Sequence, residues 1–157
     1  MKLMVSLAVL AFSVVASAYP ALKDTATFNG LYEGGGGGSM NFTQKLEIVG
    51  QNGTQFVVRA TLSLPNGQTQ TQDQSIEGSD LLSPDTVNMI LAQCSQAGGA
   101  LESLTVPAGT FQTCAIPQER GGKVWVGDVV FGIVKQIQVD EEENRITIEL
   151  ASFSSAQ

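Results

Sequence analysis

From residue 25 onward the chain is built of short runs in which apolar and polar residues alternate, broken by Gly, Pro and Asn. A period of two is the mark of a β-strand with one buried face. The alternation predicts strands over 25–32, 40–49, 56–64, 68–76, 101–106, 110–116, 123–126, 131–139 and 145–153. Ala26, Phe28 and Gly30 share one side of the first, and Phe42, Leu46 and Ile48 share one face of the second. Asn52-Gly53 and Pro65-Asn66-Gly67 carry turn chemistry between strands. The run 68–76 alternates Thr and Gln and reads as a polar strand at a sheet edge. Five consecutive glycines, Gly34 to Gly38, cannot hold regular structure at acceptable entropy cost and read as a hairpin loop. Strand residues follow them, so the helix that a phosphate cradle needs is missing.

One segment breaks the period. Ser83-Pro84-Asp85 reads as an N-cap followed by Pro at the first helical position. Val87, Ile90, Leu91 and Cys94 then recur at helical spacing, and Gly98-Gly99 closes the helix. Many short strands interrupted by one helix predict a mainly β (α+β) fold: a curved antiparallel sheet with the helix packed on its concave side.

The first residues change the setting. Lys2 precedes an apolar run from Leu3 to Val15, and Ala16-Ser17-Ala18 is a small-residue cleavage site. This predicts a secretory signal over residues 1–18 and one mature domain over 19–157, exported to the periplasm or beyond. No later run is long enough to span a bilayer as a helix, so no membrane span is expected after cleavage. The whole chain carries eight basic and fifteen acidic residues, a net charge of −7. Such a balance argues against nucleic acid as a partner, because a basic footprint dominates that affinity.

Chemistry is narrowed further by what is missing. With no histidine in the sequence, neither a Ser-His-Asp nor a Cys-His pair can form, and no imidazole metal site exists. No motif marks a catalytic Lys or a carboxylate pair. The expectation is a protein that is no enzyme and carries no cofactor and no metal; a small hydrolase is the weakest alternative. Asp140 to Glu143 is the densest charge and reads as a solvated turn rather than a calcium loop. Cys94 and Cys114 are the two cysteines; export and an even count predict that they pair and staple the helix to the sheet.

The most specific pattern runs from Cys94 to Lys135. It reads Val106-Pro107-Ala108-Gly109-Thr110-Phe111, then a strand with Trp125, then Val129-Val130-Phe131-Gly132-Ile133-Val134-Lys135. This resembles a group of exported Gram-negative proteins with a Val-Pro-Ala-Gly-Thr-Phe turn, a Trp strand and a Val-Pro-Phe-Gly-Ile-Val-Lys segment. Val130 stands where that pattern has Pro. The group is remotely similar to the LolA and LolB type lipoprotein-carrier superfamily. The resemblance implies a LolA-like half-barrel whose cavity holds a lipid or a lipoprotein acyl chain.

A pocket of that kind would be lined by Phe42, Phe56, Val58, Leu62, Phe111, Trp125, Phe131, Ile133 and Ile148. The alternative is that these side chains simply fill the core. Pro107, Gly109, Thr110 and Gly132 are then turn and close-packing residues. Lys135 either meets an anionic headgroup or stands in solvent. The rival function is a structural or interaction module of the cell envelope, pairing an exposed strand edge with a partner protein.

Overall fold

The structure, a computed structural model, describes residues 20–156. The signal expected over residues 1–18 lies outside them. Nine strands form one antiparallel sheet: β1 (Thr25–Glu33), β2 (Ser39–Asn52), β3 (Gln55–Ser63), β4 (Thr69–Glu77), β5 (Ala100–Val106), β6 (Gly109–Pro117), β7 (Lys123–Gly127), β8 (Ile133–Val139) and β9 (Arg145–Ser154). Their order across the sheet is β4-β3-β2-β1-β9-β8-β7-β6-β5. The chain therefore starts in the middle and steps outward by hairpins to β4. It then crosses to the opposite edge and steps back until β9 pairs with β1.

The crossing segment carries the one α-helix among the described residues, α1 (Pro84–Ala92). Ser83 caps it as expected: its Oγ accepts the Thr86 N–H at 3.2 Å, and Pro84 takes the first turn. The helix is shorter than the sequence predicts. Gln93 leaves helical geometry, and a run of turns carries the chain to Gly98 and Gly99. Val87 and Cys94 are nonetheless buried together on the predicted face. Cys94 and Cys114 form the disulfide, which ties the helix end to β6. A Cβ on Gly99 would sit 2.7 Å from the Cys114 sulfur, so only glycine lets the chain pass the bridge here.

Directly opposed residues in an antiparallel ladder share a face, and the registers divide this sheet sharply. One face carries Ala26, Phe28 and Gly30 of β1, with Leu46, Gln44 and Phe42 opposite on β2 and Leu150 and Ile148 on β9. Cys114 lies on this face too, so it is the side that bears the helix. Most of the core sits here, around Phe28, Ile48, Val134 and Leu150, each at most 1% exposed, and Val106, Ala115 and Trp125 of the other face join it. Burial of side chains this size contributes about 1.5–3 kcal/mol apiece.

The other face takes every charge that the strands carry. Its cations are Lys45, Arg59, Lys123, Lys135 and Arg145; its anions are Glu33, Glu47, Asp73, Glu77, Glu102 and Glu149. They pair locally, as in Arg59 with Asp73 at 2.7 Å and Lys135 with Glu149 at 2.6 Å.

Two turns sit differently from the prediction. The β2–β3 hairpin turns on Gly53-Thr54, one residue later than Asn52-Gly53, with Gly53 at φ +61°. Strand β8 starts at Ile133, because residues 128–132 fold into a tight loop. Gly132 donates to the Val129 carbonyl at 2.8 Å, and Gly127 donates to that of Gly132 at 3.0 Å.

Candidate functional site

Side chains of β3 and β8 line one common cavity although three strands separate them. On a flat sheet those strands would stand about 19 Å apart, at ~4.8 Å per step. The sheet is therefore curved about its helix-bearing face, and the curvature makes a trough. The larger of its two mostly apolar cavities holds about 450 Å³ and is lined by Tyr32, Met40, Phe42, Leu62, Leu64, Ile146 and Ile148, with Gln44, Gln136 and Gln138 between them. Met40 and Ile146 are exposed where the trough meets solvent.

A second cavity of about 380 Å³ adjoins it, sharing Gln44. Leu46, Val58, Ala60 and Ile76 form its sheet side, with Gln72 and Gln74 of the edge strand β4. Asp80, Leu81 and Leu82 of the crossing segment, with Phe131 and Ile133, close the far wall. Both volumes fall within the roughly 300–1,000 Å³ of small-molecule sites. The trough stays open because the helix packs at the other end of the sheet, against β6 and β7.

Gly30 sets the depth of the trough. It pairs with Phe42 on one side and Ile148 on the other. A Cβ built on it would lie 2.2 Å from two atoms of the Phe42 ring. Phe42 thus lies flat across β1 and forms part of the trough lining, in the space a larger residue would occupy.

The loop before β8 supplies the other special geometry. Phe131 has φ +65°, a left-handed backbone that a bulky side chain adopts at a cost. That conformation belongs to a loop whose Val129, Val130 and Phe131 are all buried, and Phe131 reaches the second cavity. Gly132 follows at φ +71°, and a Cβ there would meet Leu82 at 2.7 Å.

Of the nine pocket residues expected from sequence, Phe42, Leu62 and Ile148 line the larger cavity, and Val58, Phe131 and Ile133 line the smaller. Phe56 is buried in the core beside Gly78 rather than lining either space. Phe111 and Trp125 belong to the opposite face. Phe111 meets Phe153 with ring centroids 6.1 Å apart. Trp125 lies under Lys123 and Lys135, whose ammonium groups stand 4.8 and 5.5 Å from its ring, and its indole N–H donates to Glu102.

Lys135 is likewise turned away from the trough, since its register partners are Trp125 and Glu149; its neighbour Gln136 faces inward instead. Pro107 and Ala108 make the β5–β6 turn, where Gly109 has φ +140° and Thr110 shares a 2.8 Å hydrogen bond with Thr105. The Ala108 N–H donates to the Leu150 carbonyl, docking this turn on β9. Tyr32, Met40, Leu64 and Ile146 escaped the sequence reading, although each keeps the parity of an identified neighbour.

The acidic turn has an internal purpose. Asp140 accepts the backbone N–H groups of Glu142 and Asn144, each at 2.9 Å. The Asn144 side-chain amide holds the Asp140 carboxyl below the usual carboxylate range. Asn144 in turn accepts the Gly35 N–H at 3.0 Å, so the glycine hairpin leans on this turn. Among the described residues no group of three or more acidic or cysteine side chains is placed to hold a metal ion.

No protein-family model matches the chain, and no curated protein matches it by sequence. Solved structures similar to it include the following. MucB in complex with MucA(peri) has 14% identity and a TM-score of 0.44, over 85% of this chain and 50% of that one. MucB alone has 11% identity and a TM-score of 0.44, over 86% and 54%. A LolA superfamily protein from Nitrosomonas europaea has 7% identity and a TM-score of 0.27, over 88% of each. The chain thus spans about half the length of MucB.

Proposed function

We propose that this is an exported, non-catalytic protein that holds an apolar chain, such as a lipid acyl group, in the trough of its half-barrel. The observation that carries the reading is the uncovered trough itself: two adjoining cavities with mostly apolar linings, on the side of the sheet that bears most of the core. Had the crossing segment filled that side, the same residues would have been core and nothing more. The resemblance of residues 94–135 to exported proteins akin to lipoprotein carriers agrees with it. The disulfide suits an oxidising compartment.

Organic extraction of protein purified from the periplasm, followed by mass spectrometry, tests the reading. Acyl lipid recovered near one equivalent, and lost in an Ile148→Asp variant that still folds, is the expected result. Protein that is lipid-free from every host and takes up no apolar probe overturns it.

A second reading rests on β4. It is a terminal strand with no partner on its outer side among the described residues, so a partner's strand could add there. Capture of an envelope protein that depends on residues 69–77, by protein carrying no lipid, would favour that alternative.

A further inference from the structure

We infer that the occupant of the trough carries no negative charge: it is a long apolar chain whose polar end is an uncharged ester, amide or alcohol. The inference rests on the trough being a binding site and concerns what that site selects. The larger cavity is lined by no Asp, Glu, Lys or Arg, and the smaller one by Asp80 alone. An anionic headgroup therefore finds no counter-charge in either, and one carboxylate that opposes it.

One cation stands close by: Arg120 lines an adjoining cavity that shares Gln136, Gln138 and Ile146 with the larger one, but it pairs with Glu141 at 2.9 Å, and Glu119 and Asp140 line the same space. The five basic residues on strands all project from the far face, where four face carboxylates and Lys123 covers Trp125. Crossing the sheet is impossible for a side chain whose parity fixes its face. What the trough does offer a polar group is amide: Gln44, Gln136 and Gln138 supply neutral donors and acceptors among the apolar residues. A neutral carbonyl or hydroxyl can be satisfied by these amides. An ionised carboxylate loses its hydration without a partner charge, the costlier exchange by far. The chain's net charge of −7 adds repulsion at longer range.

The test uses the full mature protein and the uncharged fluorescent probe N-phenyl-1-naphthylamine as reporter. Monolaurin and laurate share one acyl chain and differ in the polar end. At pH 8 and below micelle-forming concentrations, laurate should need at least about tenfold more to displace the reporter, given the cost of an unpaired buried charge. Asp80→Lys places a cation at the trough wall and should narrow the gap between the two. Equal displacement by monolaurin and laurate overturns this inference and leaves the trough reading standing. Failure of the reporter to bind overturns the trough reading and takes this inference with it.

Discussion

Replacing Gly30 by Ala tests the trough at its floor. The added Cβ would lie 2.2 Å from the Phe42 ring, whereas carbon atoms pack at about 3.5–4.0 Å. The ring must therefore move by about 1.3 Å or more. It cannot sink, because β1 lies beneath it, so it lifts into the cavity. A phenyl ring fills about the 150 Å³ of a cavity that accepts benzene, so full displacement would occupy roughly a third of the 450 Å³ available.

Overpacking of this kind costs about 1–3 kcal/mol, and relief of the glycine's backbone entropy returns ~0.5–1 kcal/mol. A net loss of about 1–2 kcal/mol in urea unfolding is expected. In reporter displacement, Gly30→Ala should favour shorter acyl chains. The double variant Gly30→Ala/Phe42→Ala should recover part of both losses, with a coupling energy of about 1 kcal/mol. Unchanged stability together with an unchanged chain-length preference would show that Phe42 does not lie over Gly30, and the account of the trough floor would be wrong.

The disulfide spans 20 residues, so Cys94→Ala/Cys114→Ala should lose about 3 kcal/mol by chain entropy; a drop below about 1 kcal/mol in denaturant unfolding would refute that contribution. Asp24 is fully buried and accepts the N–H groups of Ala21 at 2.8 Å and Ala156 at 2.7 Å. Asp24→Ala strands both donors and should cost about 1–3 kcal/mol, with faster amide exchange at Ala156 as the local sign. Hydrogen bonds from Arg59 hold the Asp73 carboxyl below its usual range. A lowered carboxylate pKa contributes stability above the unfolded value of about 4 and loses it as pH falls through the folded one. Urea midpoints from pH 5 down to pH 2 should therefore fall less steeply in Asp73→Asn than in the parent; parallel curves would count against the pair.

Most strands were legible because alternation is a local signal, and so was the disulfide, which needed only compartment and count. Trp125 and Phe111 show where locality ends. They entered the candidate pocket for being aromatic, but their facing is decided by registers with β6, β8 and β5, set far along the chain. A register shift between Trp125 and Val126 against β8 also lets Trp125 share a face with Lys135 while Val126 opposes Ile133. The helix reading ran on to Gly98-Gly99, a strong stop signal, but the helix ends at Ala92, where turns from Gln93 lead past the bridge at Cys94. The alternating Thr and Gln of 68–76 read as an edge strand, and β4 stands at one end of the sheet. Gln44 lies between Phe28 and Leu62, where nothing in the sequence near it tells trough from surface.

The division of charge between the two sides of the sheet also bears on how the chain finds its pairing. Side chains along a strand switch sides at every residue, so a slip by a single position reverses all of them. Such a slip in β2 would carry Lys45 and Glu47 into the oily side and put Leu46 and Ile48 among the ions. Every strand that holds an ion is policed in this way, and the chain corrects misalignment without needing a distinct signal at each turn. Only β6, which carries no charge, lacks that safeguard, and there the sulfur bridge from Cys114 fixes the alignment instead.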